Sequence, residues 1–186
     1  MKILGIACSP RPKSNSTILL NEALDELKKL NCDTMALYLR KLKFTPCIGC
    51  ESCSNSGVCI YKDDLTELYN EIDKADKLIV AAPVYFMSLN ADAKAMIDRA
   101  QANWARKYIL KEEASFKKDG FFISTAGMTK PEMHESSVKI IKCFFHVMNI
   151  NYKKEFLVNK VDAPEDILTK PEMLEEVRKV SREFIK

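Results

Sequence analysis

Lys2-Ile-Leu-Gly-Ile-Ala-Cys8, followed at once by Ser9-Pro-Arg-Pro-Lys-Ser-Asn-Ser-Thr17, is an apolar run of strand length delivered into turn formers and short polar side chains. A run without polar alternation is expected of a strand buried on both faces, as in a parallel sheet. Beyond the loop, Ile18, Leu19, Ala23, Leu24, Leu27 and Leu30 recur at helical spacing. Strand, polar loop and amphipathic helix make the opening unit of an α/β chain.

The alternation continues. Residues 33–39 read as a second strand, and a cysteine-rich loop occupies 45–62. Asp63-Asp64 begins a short helix with acids well placed at its N-terminus and Leu65, Leu68, Tyr69 and Ile72 facing in. Residues 77–83 are a third, strongly apolar strand. A loop through residue 90 leads into a helix over about 91–106, with Ala95, Met96, Ala100 and Trp104 on its buried side. The charged stretch 107–119 is expected as a surface connection. Residues 121–126 form a fourth strand and 132–148 a helix burying Val138, Ile141, Phe144, Phe145 and Met148. Residues 152–158 make a weaker fifth strand, and Pro171 suits the first turn of a closing helix carrying Leu174, Val177, Val180 and Phe184. Five strands alternating with helices imply a doubly wound five-stranded parallel sheet, with flavodoxin-like order 2-1-3-4-5, in a single α/β domain over 1–186.

Composition narrows the class. The 186 residues are 47% apolar and 30% charged, ordinary for a soluble globular protein. The net charge of +3 comes without a basic block, so nucleic-acid binding has no support. No run approaches the length needed to span a bilayer. The chain opens Met1-Lys-Ile-Leu-Gly-Ile, without a charged leader, long apolar stretch or cleavage site. A cytoplasmic location with reduced thiols is therefore expected.

Four of the seven cysteines crowd into Cys47-x2-Cys50-x2-Cys53-x5-Cys59. Thiolates at three-residue steps can bind one small inorganic centre from a single loop, with Cys59 returning as the fourth ligand. That pattern suits a cubane iron–sulfur cluster, which takes one thiolate per iron. Gly49 and Gly57 relax the backbone for such wrapping. Structural zinc is the rival, since four thiolates also close a tetrahedral site. Zinc ribbons, however, usually separate two Cys-x2-Cys knuckles by twelve or more residues, so the compact triplet favours iron–sulfur over zinc or an empty loop. Cys8, Cys32 and Cys143 lie in apolar or helical surroundings and read as small hydrophobes.

In a doubly wound sheet, ligands bind beyond the carboxyl ends of the strands where strand order reverses. Loops 9–17, 83–90 and 124–130 would meet there. The first joins a strand to a helix N-terminus, whose free amides and dipole attract phosphate. Ser9, Ser14, Asn15, Ser16 and Thr17 can donate hydrogen bonds, and Arg11 adds a planar cation suited to phosphate oxygens. The same residues also suit an ordinary helix cap. No Gly-x-Gly-x-x-Gly follows the strand, which disfavours a dinucleotide, and no Walker-type phosphate loop exists. The second loop, Ala82-Pro-Val-Tyr-Phe-Met-Ser-Leu-Asn90, offers apolar and aromatic groups beside backbone amides, a setting for a flat ring with polar edges. Tyr85 and Phe86 taken singly read as core or interface aromatics. In the third loop, Ser124-Thr-Ala-Gly-Met128, Gly127 permits a turn beside hydroxyls.

Taken together, Ser9-Pro-Arg-Pro-Lys-Ser-Asn-Ser-Thr17, the Cys47–Cys59 loop followed by Asp63-Asp64, and Ala82-Pro-Val-Tyr-Phe86 with Asp98-Arg99 resemble the iron–sulfur flavoproteins of the NADPH-dependent FMN reductase and flavodoxin-like superfamily. The resemblance runs from Met1 to about residue 148. It implies FMN, with phosphate held by Ser9, Arg11, Ser14, Asn15, Ser16 and Thr17. It implies a flavin ring against Pro83, Val84, Tyr85, Phe86, Met87 and Ser88, and against Ser124, Thr125, Ala126 and Gly127. It further implies a 4Fe-4S cluster on Cys47, Cys50, Cys53 and Cys59, in a homodimer or homotetramer. Met87 stands where relatives often carry glycine, and the third loop lacks their run of glycines, which adds bulk near the ring site.

The expected activity is an FMN-dependent oxidoreductase in which a ferredoxin-like donor reduces the cluster, the cluster reduces FMN, and FMN reduces a small-molecule acceptor. No acid–base residue is expected: His134 and His146 fall on one predicted helix, pointing in different directions, and read as surface or packing residues. The alternatives are an NAD(P)H-dependent FMN or quinone reductase with a vestigial or zinc-bound loop, and a non-catalytic metal-binding or redox-sensing protein.

Overall fold

The computed structural model describes residues 1–112 and 118–186. Strand β1 (Lys2–Ala7) forms from the apolar run, with every residue from Ile3 to Ala7 buried. Gly5 lets helix α1 (Asn15–Lys29) lie directly on it: a Cβ there would stand 2.7 Å from Leu24 Cδ1. The helix starts where Ser14 Oγ accepts from the Thr17 amide at 3.3 Å, a side-chain cap on an otherwise unmet donor. Lys28 and Lys29 occupy its last turn, where cations oppose the helix dipole favourably.

Strand β2 (Asp33–Tyr38) ends in a 3-10 turn at Leu39–Lys41. The cysteine loop follows, containing a single helical turn, α2 (Cys53–Ser56), stopped by Gly57 at φ +68°. Asp63 caps α3 (Asp64–Lys74) by accepting from the Leu65 amide at 3.2 Å. Strand β3 (Lys77–Tyr85) turns back through Phe86 and Met87 into β4 (Ser88–Leu89), which pairs antiparallel with it. Then come α4 (Ala91–Arg99), α5 (Gln101–Tyr108), β5 (Lys118–Thr125), a 3-10 turn at Pro131–His134, α6 (Glu135–Val147) and β6 (Ile150–Val158). A 3-10 turn at Asp166–Thr169 leads into α7 (Pro171–Phe184).

The sheet order is β2-β1-β3-β5-β6, with these neighbours all parallel. Setting aside β4, this is the expected flavodoxin-like order 2-1-3-4-5. Side chains alternate between two cores. Leu4, Ile6, Leu78, Val80 and Phe122 face α3, α4 and α6, while Ile3, Ile79, Ala81 and Phe121 face α1 and α7. Each fully buried leucine, isoleucine or phenylalanine contributes about 1.5–3 kcal/mol, so the layering is set by apolar burial.

Several local readings need correction, among them Trp104, expected on a buried helix face and found exposed. The segment before residue 90 is not simply a loop but carries the extra strand β4. The helix expected over 91–106 is two helices broken at Ala100, where ψ falls to 0°. The connection expected over 107–119 begins inside α5 and ends inside β5; its residues 113–117 lie outside the described residues. Lys118 and Asp119 join the sheet because Asp119 Oδ2 meets Lys77 Nζ across the ladder at 2.8 Å, a mostly buried pair. Among the described residues, no helix is long and apolar enough to cross a membrane.

Candidate functional site

At the carboxyl end of the sheet, where the order reverses between β1 and β3, lies a cavity of about 340 Å³. Ser9, Arg11, Ser14 and Asn15 line it after β1, Pro83 to Phe86 at the end of β3, and Thr125 and Gly127 at the end of β5. One end is cationic and polar. Arg11 stands there beside the start of α1, whose first amides have no acceptors within the helix. The other end is apolar, walled by Pro83, Val84, Tyr85 and Phe86.

Not every expected residue reaches this cavity. Ser16 is fully buried, its hydroxyl 2.9 Å from Ser14 Oγ, and Thr17 is turned inward as the amide that Ser14 caps. Ser124 points its hydroxyl to His134 Nδ1 at 2.9 Å, and Ala126 is buried beside it in sequence. Met87 and Ser88 lie past the cavity wall in the β3–β4 hairpin. Asn15, though at the cavity, spends its amide on tethering: Nδ2 donates to Ala163 O at 3.0 Å and Oδ1 accepts from the Ile167 amide at 3.1 Å.

That tether brings in a fourth loop, after β6, which the sequence reading did not include. Val161, Asp162 and Pro164 line the cavity, and Arg11 Nη1 donates to Asp162 O at 2.9 Å. The contact spans 151 residues of sequence, and Asp162 belongs to none of the motifs read from the sequence. His134 supports the third loop from beneath. Its Nε2 faces Asn159 Oδ1 at 3.2 Å, and Asn159 Nδ2 donates to Met128 O and Lys130 O. Burial holds the His134 imidazole below its ordinary pKa. His146 sits elsewhere, its Nε2 2.8 Å from the Tyr108 hydroxyl.

The hairpin at the cavity rim is strained. Phe86 and Met87 form a two-residue turn with φ of +49° and +61°, the pattern of a type I′ turn, which ordinarily takes asparagine and glycine. Phe86 is fully exposed.

A second cavity, of about 400 Å³, is lined by all four loop cysteines, Cys47, Cys50, Cys53 and Cys59, with Ile48, Gly49, Tyr61 and Arg99. Gly49 at φ +65° and Gly57 at φ +68° supply left-handed bends that side chains resist. No trio of histidine, cysteine, aspartate or glutamate among the described residues is drawn together around a single-ion position. The thiols surround a space. Burial pushes the Cys53 thiol up, whereas hydrogen bonds from Ser52 pull Cys50 down. Of the other cysteines, Cys8 and Cys32 are buried and Cys143 is exposed on α6.

The neck of this loop is braced by one ion pair. Arg99, at the end of α4, is almost fully buried; its Nη1 donates to Asp63 Oδ2 at 2.8 Å and to Thr45 O at 2.7 Å, and Nη2 reaches Asp63 Oδ1 at 3.2 Å and Tyr61 O at 3.4 Å. Asp63 Oδ2 also accepts from the Thr45 amide at 3.0 Å. One guanidinium thus ties both ends of the loop to one carboxylate. Burial works against the Arg99 charge, but Asp63 and the Cys59 thiol outweigh it and raise its pKa. Burial likewise opposes ionised Asp63, yet the bonds from Arg99 and Thr45 hold its pKa below the ordinary value.

Comparison with known proteins agrees with this architecture. The profile of the NADPH-dependent FMN reductase family matches residues 1–161. An iron–sulfur flavoprotein of Methanosarcina thermophila is 31% identical over 147 residues, 79% of this chain and 74% of the relative. One from Archaeoglobus fulgidus is 29% identical over 174 residues, 94% of this chain and 77% of the relative. Another, from Methanocaldococcus jannaschii, is 38% identical over 101 residues, covering 54% of this chain and only 52% of that relative's length. Among solved structures, an azoreductase from Bacillus anthracis superposes with a TM-score of 0.71 at 16% identity, over 99% of this chain and all of that one. The NAD(P)H:quinone oxidoreductase of Methanothermobacter marburgensis gives 0.71 at 18% identity, over 98% and 94% of the two chains. At such identities the structures share the fold.

Proposed function

The chain belongs to the NADPH-dependent FMN reductase family, among its iron–sulfur flavoproteins, and we propose that it is an FMN-dependent oxidoreductase that takes in single electrons at its cysteine loop and delivers them through FMN to a small acceptor. The residues at the sheet end fit FMN. Arg11, the first amides of α1 and the hydroxyls of Ser9 and Ser14 would hold the phosphate, while Pro83 to Phe86 and the Thr125–Gly127 turn would bracket the ring. When bound, the flavin supplies one- or two-electron redox chemistry. Val84, Tyr85 and Phe86 give that space an apolar wall.

The cysteine loop fits a 4Fe-4S cluster in donor set, since four thiols, one for each iron, line the same cavity. When bound, such a cluster supplies one-electron transfer. The single observation that carries this reading is that Cys47, Cys50, Cys53 and Cys59 all open onto one cavity whose neck is clamped by Arg99 and Asp63. A one-electron entry point calls for a one-electron donor of ferredoxin type, and the family resemblance supports a homodimer or homotetramer. The Cys50→Ser variant tests the route. Ferredoxin-dependent reduction of FMN should be lost while FMN stays bound; unchanged reduction would refute the route. Flavin bleaching by NAD(P)H in iron-free protein would instead select a nicotinamide-dependent reductase.

A further inference from the structure

Arg99 has one donor that closing the loop does not use. Its Nη1 and Nη2 are committed to Asp63, Thr45 O and Tyr61 O. Its Nε–H is buried and has no acceptor among the described residues. A buried donor left unmet costs about 1–3 kcal/mol, and more when it belongs to a charged group, so native structures rarely keep one without a use. Arg99 is 4% exposed and forms part of the wall between the cysteine cavity and a further cavity of about 530 Å³. Cys59 and Tyr61 line both spaces with it. The Tyr61 ring lies 5.1 Å from the guanidinium carbon and covers that group by stacking. Cys59 is thus the ligand sulfur on the same wall as the unmet donor.

If Arg99 were only a brace, its fork of Nη atoms would suffice, and the buried Nε–H would be a pure loss. We propose that Arg99 directs its Nε–H and its charge at the sulfur held by Cys59, and so sets the reduction potential of the iron–sulfur centre as well as closing the loop. This rests on the cluster proposed above. A hydrogen bond and a fixed cation beside a cluster sulfur favour the more negative, reduced state, which raises the potential.

The test is an anaerobic redox titration of the iron-loaded protein, with iron and acid-labile sulfide measured for each variant. Arg99→Gln should lower the midpoint by at least a tenfold change in the reduction equilibrium, about 59 mV for a one-electron couple. Should that variant fail to retain iron, the comparison is made on Arg99→Lys, which keeps the charge, lacks the Nε–H and should also fall. Asp63→Asn weakens the same brace but keeps the Nε–H and the Arg99 charge while removing the neighbouring anion, so its midpoint should not fall. Iron-loaded Arg99 variants with an unmoved midpoint would overturn the inference, as would an equal drop in Asp63→Asn. Wild-type protein that binds no iron would overturn the cluster reading, and the inference with it.

Discussion

Arg99 Nη1 and Asp63 Oδ2 stand 2.8 Å apart where the two ends of the cysteine loop meet. Both side chains are largely shielded, 2% and 17% exposed, so water cannot replace either partner cheaply. Removing one partner of a buried pair leaves an uncompensated charge, which typically costs about 3–5 kcal/mol. Asp63→Ala should therefore lose stability of that order in anaerobic urea unfolding. Its pH dependence has a definite sign. The folded carboxyl titrates below the unfolded value of about 3.9, so its contribution is complete above that pH and disappears as pH falls through the folded value. The wild type should lose this contribution on acidification, and Asp63→Asn should show a shallower loss below pH 4.

Arg11 gives a prediction specific to phosphate. Charge-assisted hydrogen bonds are worth about 1.5–3 kcal/mol, or tenfold and upward in affinity. Arg11→Gln should weaken FMN binding to the apoprotein by about 10–100-fold while leaving riboflavin, which lacks the phosphate, within about twofold. Fluorescence titration separates the two; equal losses for both ligands would remove Arg11 from the phosphate end.

The Phe86–Met87 turn holds two side chains at positive φ. Left-handed backbone costs about 1–2 kcal/mol for an ordinary residue, partly offset by the entropy that a glycine loses. The double change Phe86→Asn, Met87→Gly should stabilise the ligand-free protein by about 1 kcal/mol. FMN binding should weaken in the same variant, because Phe86 walls the cavity. A loss of stability would mean that the turn is held by contacts rather than strained against them.

His134 predicts a second pH effect, nearer neutrality. Burial lowers its folded pKa below the unfolded value of about 6.5. Stability is then full above 6.5 and declines as pH falls and the unfolded imidazole takes up a proton preferentially. His134→Gln should flatten the stability profile below pH 6.5. A profile unchanged by the substitution would contradict the buried, neutral assignment.

The parallel sheet was legible because its strands are unbroken apolar runs, such as 77–83, and its helices repeat at 3.6. What escaped has physical reasons. The β3–β4 hairpin has Phe86-Met87 where turn chemistry calls for asparagine and glycine, so no turn signal marks it. The break at Ala100 uses a good helix former, and only the geometry that points Arg99 at Asp63 betrays it. Asp162 joins the cavity through Arg11, while Asn15 holds the neighbouring Ala163, across some 150 residues and beyond the reach of local pattern. The cysteine loop was legible as spacing, and Asp63 and Arg99 as part of the family resemblance, yet their bracing role was not: only the fold closes Thr45, Tyr61 and Asp63 around Arg99.

The most direct measurement is the absorption spectrum of anaerobically purified protein, with iron, acid-labile sulfide and FMN counted per chain. Resolved flavin bands on a broad sulfur-to-iron absorption, with about four irons, four sulfides and one FMN per chain, is the predicted result. Flavin bands alone, or zinc in place of iron at the four thiols, would contradict an electron entry point at the cysteine loop.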